Sequence, residues 1–217
     1  DLFIYEKAPE YTGFALRPLN GGTIENKGFE IMLFQRIIER NAFSWNMLTN
    51  LSHINNKIID LSDDMIASFE GGEMISKVGE PLNSYYGYSF KGVYSTYEDA
   101  GEANLINDKG IQYGAGDAIY EDISGPEGLP DGIINNYDKK VLGSPIPQFF
   151  GSLDNVFNYK RWTFDFMIQF VYGNEIFNYL RYQNERMVNL DNQSTNVLHR
   201  WQRDGDQTDV PRALWKD

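Results

Sequence analysis

Cysteine is absent from this chain of 217 residues, and several other familiar signals are missing with it. Without cysteine the chain has no disulfides and no thiolate metal ligands, so its redox compartment stays open. Because it has no run of about eighteen apolar residues, a transmembrane helix is excluded. The net charge of -12 makes binding to a nucleic-acid backbone unfavourable. The opening residues carry no features of a secretory signal and read like a chain that begins within a strand.

Catalytic motifs are scarce as well. The two histidines, His53 and His199, lie far apart in the sequence, and no Gly-x-Ser-x-Gly nucleophile motif occurs. The glycine-rich segment 114–117 lacks the third glycine of a nucleotide-binding loop. We therefore expect a protein that is not an enzyme. An acidic glycoside hydrolase is a lower-ranked alternative, and it requires two carboxylates roughly 5–9.5 Å apart in a cleft.

Aromatic residues, by contrast, are abundant at 15% of the chain. Their arrangement is most informative in the stretch 161–172, where every second residue is large and apolar. This apolar set consists of Trp162, Phe164, Phe166, Ile168, Phe170 and Tyr172. Strict alternation predicts a β-strand with two chemically different faces. The length is close to that of a tilted strand crossing a bilayer, so we expect the apolar face to contact lipid.

Three further stretches alternate in the same way, though less strictly. The four predicted strands cover residues of about 29–38, 43–53, 148–158 and 161–172. Short links join them pairwise into two antiparallel hairpins. Long polar stretches, predicted as outer loops, cover residues 4–28, 54–147 and 173–217. Outer-membrane barrels combine short periplasmic turns with long outer loops. The predicted fold is therefore all-β, an antiparallel transmembrane β-barrel fragment with long extracellular loops carrying short helices.

The predicted loops contain local patterns of their own. Residues 175–190 have apolar side chains at roughly helical spacing, and Ser194 is a candidate N-cap for a second short helix ending near Gly205. In the middle loop, Tyr85, Tyr86 and Tyr88 can stack on a ligand such as a sugar ring. They can equally pack the loop against itself, and both alternatives stay open.

Five short motifs, in order along the chain, carry a family resemblance. They are ENKGFE at 25–30, VGEP and YYGY at 78–81 and 85–88, GSPIP at 143–147, YGNEIFN at 172–178, and RW with DVPRA at 200–201 and 209–213. Each is weak alone, but the ordered set covers most of positions 23–213. Together they resemble the SusC/RagA-type TonB-dependent outer-membrane transporters.

The resemblance implies a late part of a barrel domain within a longer chain that also carries a plug and a TonB box. Wide barrels of about 22 strands are the architecture of such transporters. It further implies uptake of glycans or peptides across the outer membrane of a Gram-negative bacterium. A SusD-like surface lipoprotein, outer-membrane lipid and TonB, reached through other parts of the chain, are the implied partners. The alternative is a soluble secreted carbohydrate-binding β-sandwich, which would bury the six bulky residues.

The same family often carries an acidic loop whose oxygens suit Ca²⁺, which would be a structural ion here; no other cofactor is expected. The ligands implied by the resemblance are Asp122, Ser124, Asp131, the carbonyl of Ile133, Asn135 and Asp138. Two features depart from the family pattern: Ser124 replaces the usual Asn, and residues 126–130 form an insertion. No Glu stands at the last ligand position. The alternative is a metal-free acidic turn held by Asx hydrogen bonds.

Overall fold

The computed structural model describes residues 2–8 and 10–214, and β-strands dominate them. The strands are β1 (Leu2–Lys7), β2 (Leu16–Arg40), β3 (Phe43–Leu61), β4 (Met65–Phe69), β5 (Gly72–Ser76), β6 (Ser84–Tyr88), β7 (Phe90–Val93), β8 (Ile106–Asn107), β9 (Ala118–Tyr120), β10 (Ile133–Ile134), β11 (Lys139–Gly143), β12 (Phe149–Tyr159) and β13 (Trp162–Tyr172). The helices are α1 (Tyr97–Ala103) and α2 (Tyr179–Glu185), with 3-10 turns at Glu10–Thr12, Asn136–Asp138 and Thr195–His199. No helix among the described residues has the length and apolar character needed to span a membrane.

Five strands form the main sheet, in the order β1-β2-β3-β12-β13. Every neighbouring pair is antiparallel. Four short strands form a second sheet in the order β11-β6-β5-β4, β7 pairs with β9, and β8 runs parallel to β10. The fold is therefore mostly sheet with few helices, as the alternating sequence predicts.

The chain divides into two compact units. The sheet unit contains Asp1–Ala67, Met74–Tyr85 and Gly143–Ile176, and thus the whole main sheet. The loop unit contains Ser68–Glu73, Tyr86–Leu142 and Phe177–Asp217.

The register of the main sheet separates an apolar face from a polar face. Phe157 lies opposite Trp45 on one side and Phe164 on the other, so their side chains share one face. The Phe157 ring stacks on Trp45 at a centroid distance of 5.3 Å and on Phe166 at 6.0 Å. Such cross-strand aromatic pairs stabilise a sheet by roughly 0.2–1 kcal/mol each.

The other face carries polar side chains at the matching positions. Asn50 lies opposite Ser152, and Ser152 lies opposite Gln169. The Asn50 amide donates a hydrogen bond to the Ser152 hydroxyl at 3.1 Å. Because side chains alternate along each strand, the aromatic and polar sets stay on opposite faces over three strands.

The prediction that residues 4–28 form an outer loop is wrong. These residues lie largely in β1 and β2, and β3 extends to Leu61, so the middle loop begins only after it. Apolar alternation ends near Phe29, but backbone pairing needs no apolar side chains. Asn56, for instance, donates its amide to Asn26 across the extension at 2.6 Å. A Cβ at Gly28 would collide with the His53 carbonyl oxygen, which shows how closely the two strands approach.

A small core occupies the loop unit. Its buried side chains include Tyr94, Ala115, Val197, Trp201 and Val210. The helical pattern of residues 175–190 forms only the seven residues of α2. Ser194 does act as an N-cap, accepting from the Asn196 N–H, but it starts a 3-10 turn rather than an α-helix.

Candidate functional site

The six bulky residues of β13 lie on the apolar face of the main sheet and are exposed. Their exposed fractions run from 40% for Phe170 to 79% for Trp162. They are not buried against a second sheet, as the β-sandwich alternative requires. On the same face, the Trp45 indole N–H donates to the Asn155 side-chain oxygen at 3.1 Å. This bond satisfies a polar group that an apolar solvent would leave without a partner.

The acidic turn, residues 122–138, is organised around one buried carboxylate. Asp138 accepts backbone N–H bonds from Ile123 at 2.8 Å and Ser124 at 3.1 Å on one oxygen, and from Asn135 at 2.8 Å on the other. Three bonds to one carboxylate tie the two ends of the turn together. The insertion 126–130 does not separate these ends, because Gly125 lies directly against Asp131.

The remaining ligands of the predicted calcium site also make bonds within the turn. Asp122 accepts from the Gly132 N–H at 2.8 Å, and Asp131 accepts from the Ile133 N–H at 3.0 Å. The Ile133 carbonyl accepts from the Asn135 amide at 3.2 Å, and the Ser124 hydroxyl donates to the Gly125 carbonyl at 3.4 Å.

Two observations bear on metal binding at the acidic turn. Within residues 2–8 and 10–214, no three His, Asp or Glu side chains form a group that could hold a metal ion. One Asp122 oxygen is buried and has no hydrogen-bond partner there. The turn holds itself together through hydrogen bonds of the Asx type, and the calcium site stays a prediction.

Of the three tyrosines predicted to stack on a ligand, Tyr88 is the best defined. Its ring lies 5.5 Å from Tyr120, and the Lys139 ammonium sits over it at 5.5 Å. Burial raises the pKa of Tyr88. Tyr85 and Tyr86 are half-buried on the same strand. Two neighbours therefore already contact the half-buried Tyr88 ring, and a stacking role for the three tyrosines stays a prediction.

A pocket of about 540 Å³, which the sequence analysis did not predict, lies wholly within the loop unit. Its lining includes Tyr113, Asp117, Tyr120, Arg186 and Arg212. These residues come from three distant stretches of the chain, so no local motif joins them. Their aromatic and cationic side-chain types were the only feature of the sequence that could have indicated a binding site.

Pro211 and Arg212 of the DVPRA motif line this pocket, and Trp201 of the RW motif packs behind them against Gly116. Gly116 has a φ of +84° and lies against Trp201, whose Cε3 atom would be 2.5 Å from a Cβ at that position. The Trp201 indole N–H donates to the Ser95 carbonyl at 2.9 Å. Arg212 donates two hydrogen bonds to Asp117, at 2.7 and 3.1 Å. The RW and DVPRA motifs thus pack on the glycine-rich segment 114–117, and Arg212 also binds to it through hydrogen bonds.

The pocket tyrosines are neutral at physiological pH. Burial, followed by the nearby Tyr120, Tyr88, Asp117 and Asp108, raises the pKa of Tyr113 to about 12. Burial likewise raises the pKa of Tyr120. Both phenols therefore keep their proton and can donate a hydrogen bond.

Arg186 is the second cation of the pocket. Its guanidinium lies 5.7 Å from the Tyr182 ring centre and 3.4 Å from the Asp191 carboxylate. A hydrogen bond with Tyr182, followed by interactions with Asp191, raises the pKa of Arg186. Its Nε atom has no hydrogen-bond partner among the described residues. The pocket thus joins two neutral phenols, the ion pair of Arg212 with Asp117, and the Arg186 guanidinium.

Comparisons with known proteins agree with the motif resemblance. The chain is 30% identical to TonB-dependent receptor P3 of Formosa agariphila over an alignment of 226 residues, covering 100% of this chain and 22% of that protein. It is 31% identical to TonB-dependent receptor P26 of the same organism, covering 98% of this chain and 21% of the relative. TonB-dependent receptor SusC of Bacteroides thetaiotaomicron is 26% identical and is covered to 17%. No family model matches the chain.

Solved structures show the same fold. The RagAB peptide transporter superposes with a TM-score of 0.70 at 19% identity, covering 95% of this chain and 22% of that chain. The open-open state of the RagAB peptide importer gives a TM-score of 0.71, covering 100% of this chain. This chain spans about a fifth of the length of the relatives it matches. The resemblance seen in the five motifs is confirmed: over its whole length the chain is similar to TonB-dependent receptors, SusC among them, and it shares its fold with the RagAB transporter.

Proposed function

We propose that this chain forms part of the barrel wall and outer loops of an importer in the outer membrane of a Gram-negative bacterium. The observation that carries the proposal is the exposed aromatic face of the main sheet, backed by a polar face on the same strands. A lipid-facing wall needs this arrangement, because lipid contacts one face and the barrel interior the other. Trp162 and Tyr172, at the two ends of β13, suit the two membrane interfaces.

The cargo and partners follow from the relatives. We infer a glycan or peptide cargo, as the family resemblance implies; the RagAB protein that shares the fold is a peptide transporter. We further infer a SusD-like lipoprotein as surface partner, and energy coupling through TonB by other parts of the full-length protein. The relatives are receptors and transporters, which supports a role without catalysis.

A charge placed on either face of β13 tests the wall assignment. Phe166→Arg puts a cation on the proposed lipid face, where it costs about 2–4 kcal/mol near the bilayer midplane. Gln169→Arg adds the same charge on the opposite face and is the matched control. In the full-length receptor, we expect outer-membrane levels to drop for Phe166→Arg and to stay normal for Gln169→Arg.

Two outcomes would contradict the proposal. Normal outer-membrane levels of Phe166→Arg would reject the lipid-facing assignment. A full-length protein that is monodisperse in buffer without detergent would favour the soluble alternative.

A further inference from the structure

We propose that the loop-unit pocket binds a saccharide ring that carries a carboxylate, so that acidic sugars are among the cargo. The statement that acidic sugars are imported rests on the proposed function. The binding site itself rests on the geometry of the pocket.

The size and lining of the pocket suit a short saccharide. A volume of about 540 Å³ falls within the range of small-ligand sites, roughly 300–1,000 Å³. The walls combine apolar side chains, such as Val188 and Pro211, with the amide of Gln112 and two tyrosines. A sugar ring has apolar C–H faces and hydroxyl edges, and it can satisfy both kinds of surface at once.

The charges of the pocket select an anionic group. Arg212 is neutralised by its two bonds to Asp117. Arg186 is held less tightly, because its only carboxylate partner in the described part of the chain, Asp191, lies 3.4 Å away and is 61% exposed. A guanidinium binds carboxylates through parallel N–H bonds in a planar geometry. Arg186 is therefore the residue that we expect to contact the ligand carboxylate.

Three carboxylates lie near the pocket: Asp117 is paired with Arg212, Asp191 with Arg186, and Asp108 interacts with Tyr113. Tyr113 and Tyr120 stay uncharged, because burial raises the pKa of both phenols. The chain as a whole is negative, with a net charge of -12. Charges on exposed surface are screened beyond about 8 Å at physiological ionic strength, so the local arginine decides the interaction.

Calorimetric titration of the detergent-purified full-length receptor tests the inference. The probes are digalacturonate and its neutral counterpart, the corresponding galactose disaccharide. We expect digalacturonate to bind at least tenfold more tightly than the neutral sugar, and to bind more weakly as salt is raised. Arg186→Gln should weaken digalacturonate binding at least tenfold.

Arg181→Gln is the matched control. It removes the same charge from the neighbouring helix α2, where Arg181 pairs with Glu185 and does not line the pocket. Its affinity for digalacturonate should equal that of the wild type. Arg186→Lys keeps the charge without the planar fork and should retain part of the affinity, which separates a ligand contact from a folding defect.

The inference is overturned if Arg186→Gln binds digalacturonate as well as the wild type does, or if the neutral sugar binds equally well. An N-acetylated dipeptide with a free carboxylate is the third probe, and its tight binding in place of digalacturonate would overturn the sugar assignment. Binding by a receptor that fails to reach the outer membrane would refute only the importer proposal. A correctly inserted receptor without binding would refute only the pocket.

Discussion

The two units differ in the exposure of their large apolar side chains. In the main sheet, Phe164, Ile168 and other bulky residues are exposed. In the loop unit, Trp201 and Tyr94 are buried beside small residues such as Ala115. The loop unit therefore gains stability by removing apolar surface from water, as water-soluble proteins do. The main sheet leaves that surface available for an apolar solvent.

The two units also differ in which groups make their hydrogen bonds. The main sheet is built on long backbone ladders, which need no particular side chain. The loop unit depends on carboxylates that accept backbone N–H groups, as Asp138 does, or arginine N–H groups, as Asp117 does. Single substitutions should therefore damage the loop unit more selectively than the sheet.

The largest expected effect follows from Gly116→Val. A β-branched residue is strained at the observed φ of +84°, and its Cβ would collide with Trp201. We expect a loss of roughly 4 kcal/mol or more in loop-unit stability. Limited proteolysis should then cut the loop unit, while outer-membrane levels of the receptor persist.

Gly114→Ala is the control for this substitution, because the nearest atom to a Cβ there is 3.7 Å away. It should leave proteolysis unchanged. Equal protease resistance of Gly116→Val and the wild type would show that the contact with Trp201 does not hold the loop unit together.

A smaller effect is expected from Asp138→Asn. The amide places an N–H donor where a carboxylate oxygen now accepts from backbone N–H groups, which we expect to cost about 2–3 kcal/mol. Asp131→Asn is the control, because that exposed side chain accepts a single backbone bond. Proteolysis within residues 117–142 measures both.

The same assay separates the two interpretations of the acidic turn. If the turn holds Ca²⁺, chelator should speed cleavage of the wild type, and both variants should lose protection by added Ca²⁺. Identical cleavage with and without chelator would favour the metal-free turn.

The smallest effect is a pH dependence at Tyr113. Its pKa is raised from 10.0 to about 12, mainly by burial, so the neutral phenol favours the folded loop unit. This contribution is fully present below about pH 10 and is lost as the pH rises towards 12. Tyr113→Phe should weaken the increase in loop-unit proteolysis over that interval. An unchanged alkaline profile would contradict the burial of this ring.

Much of the main sheet can be predicted from the sequence. Alternation in 161–172 and 43–53 marks strands, because opposite faces of a strand meet different solvents. The same criterion misjudged residues 4–28, where pairing continues without apolar alternation. It also could not locate the bulge between Arg36 and Ile38, which places Ile38 rather than Ile37 opposite Trp45.

The loop unit was far less predictable. Its pocket joins Tyr113, Arg186 and Arg212, which no periodic pattern connects. The helical spacing in 175–190 extends over more residues than α2 does, because spacing alone does not fix where a helix ends. The Asp138 carboxylate was singled out as a metal ligand, yet its three backbone partners could be recognised only in the folded turn.

By itself, the sequence determined the resemblance to TonB-dependent receptors and the two-faced chemistry of the strands, because both follow from short ordered motifs and period-two spacing. Only the tertiary structure decided which side chains are covered and which charges meet. Those properties depend on contacts between residues far apart in the chain, such as Trp201 against Gly116, and no local pattern encodes them.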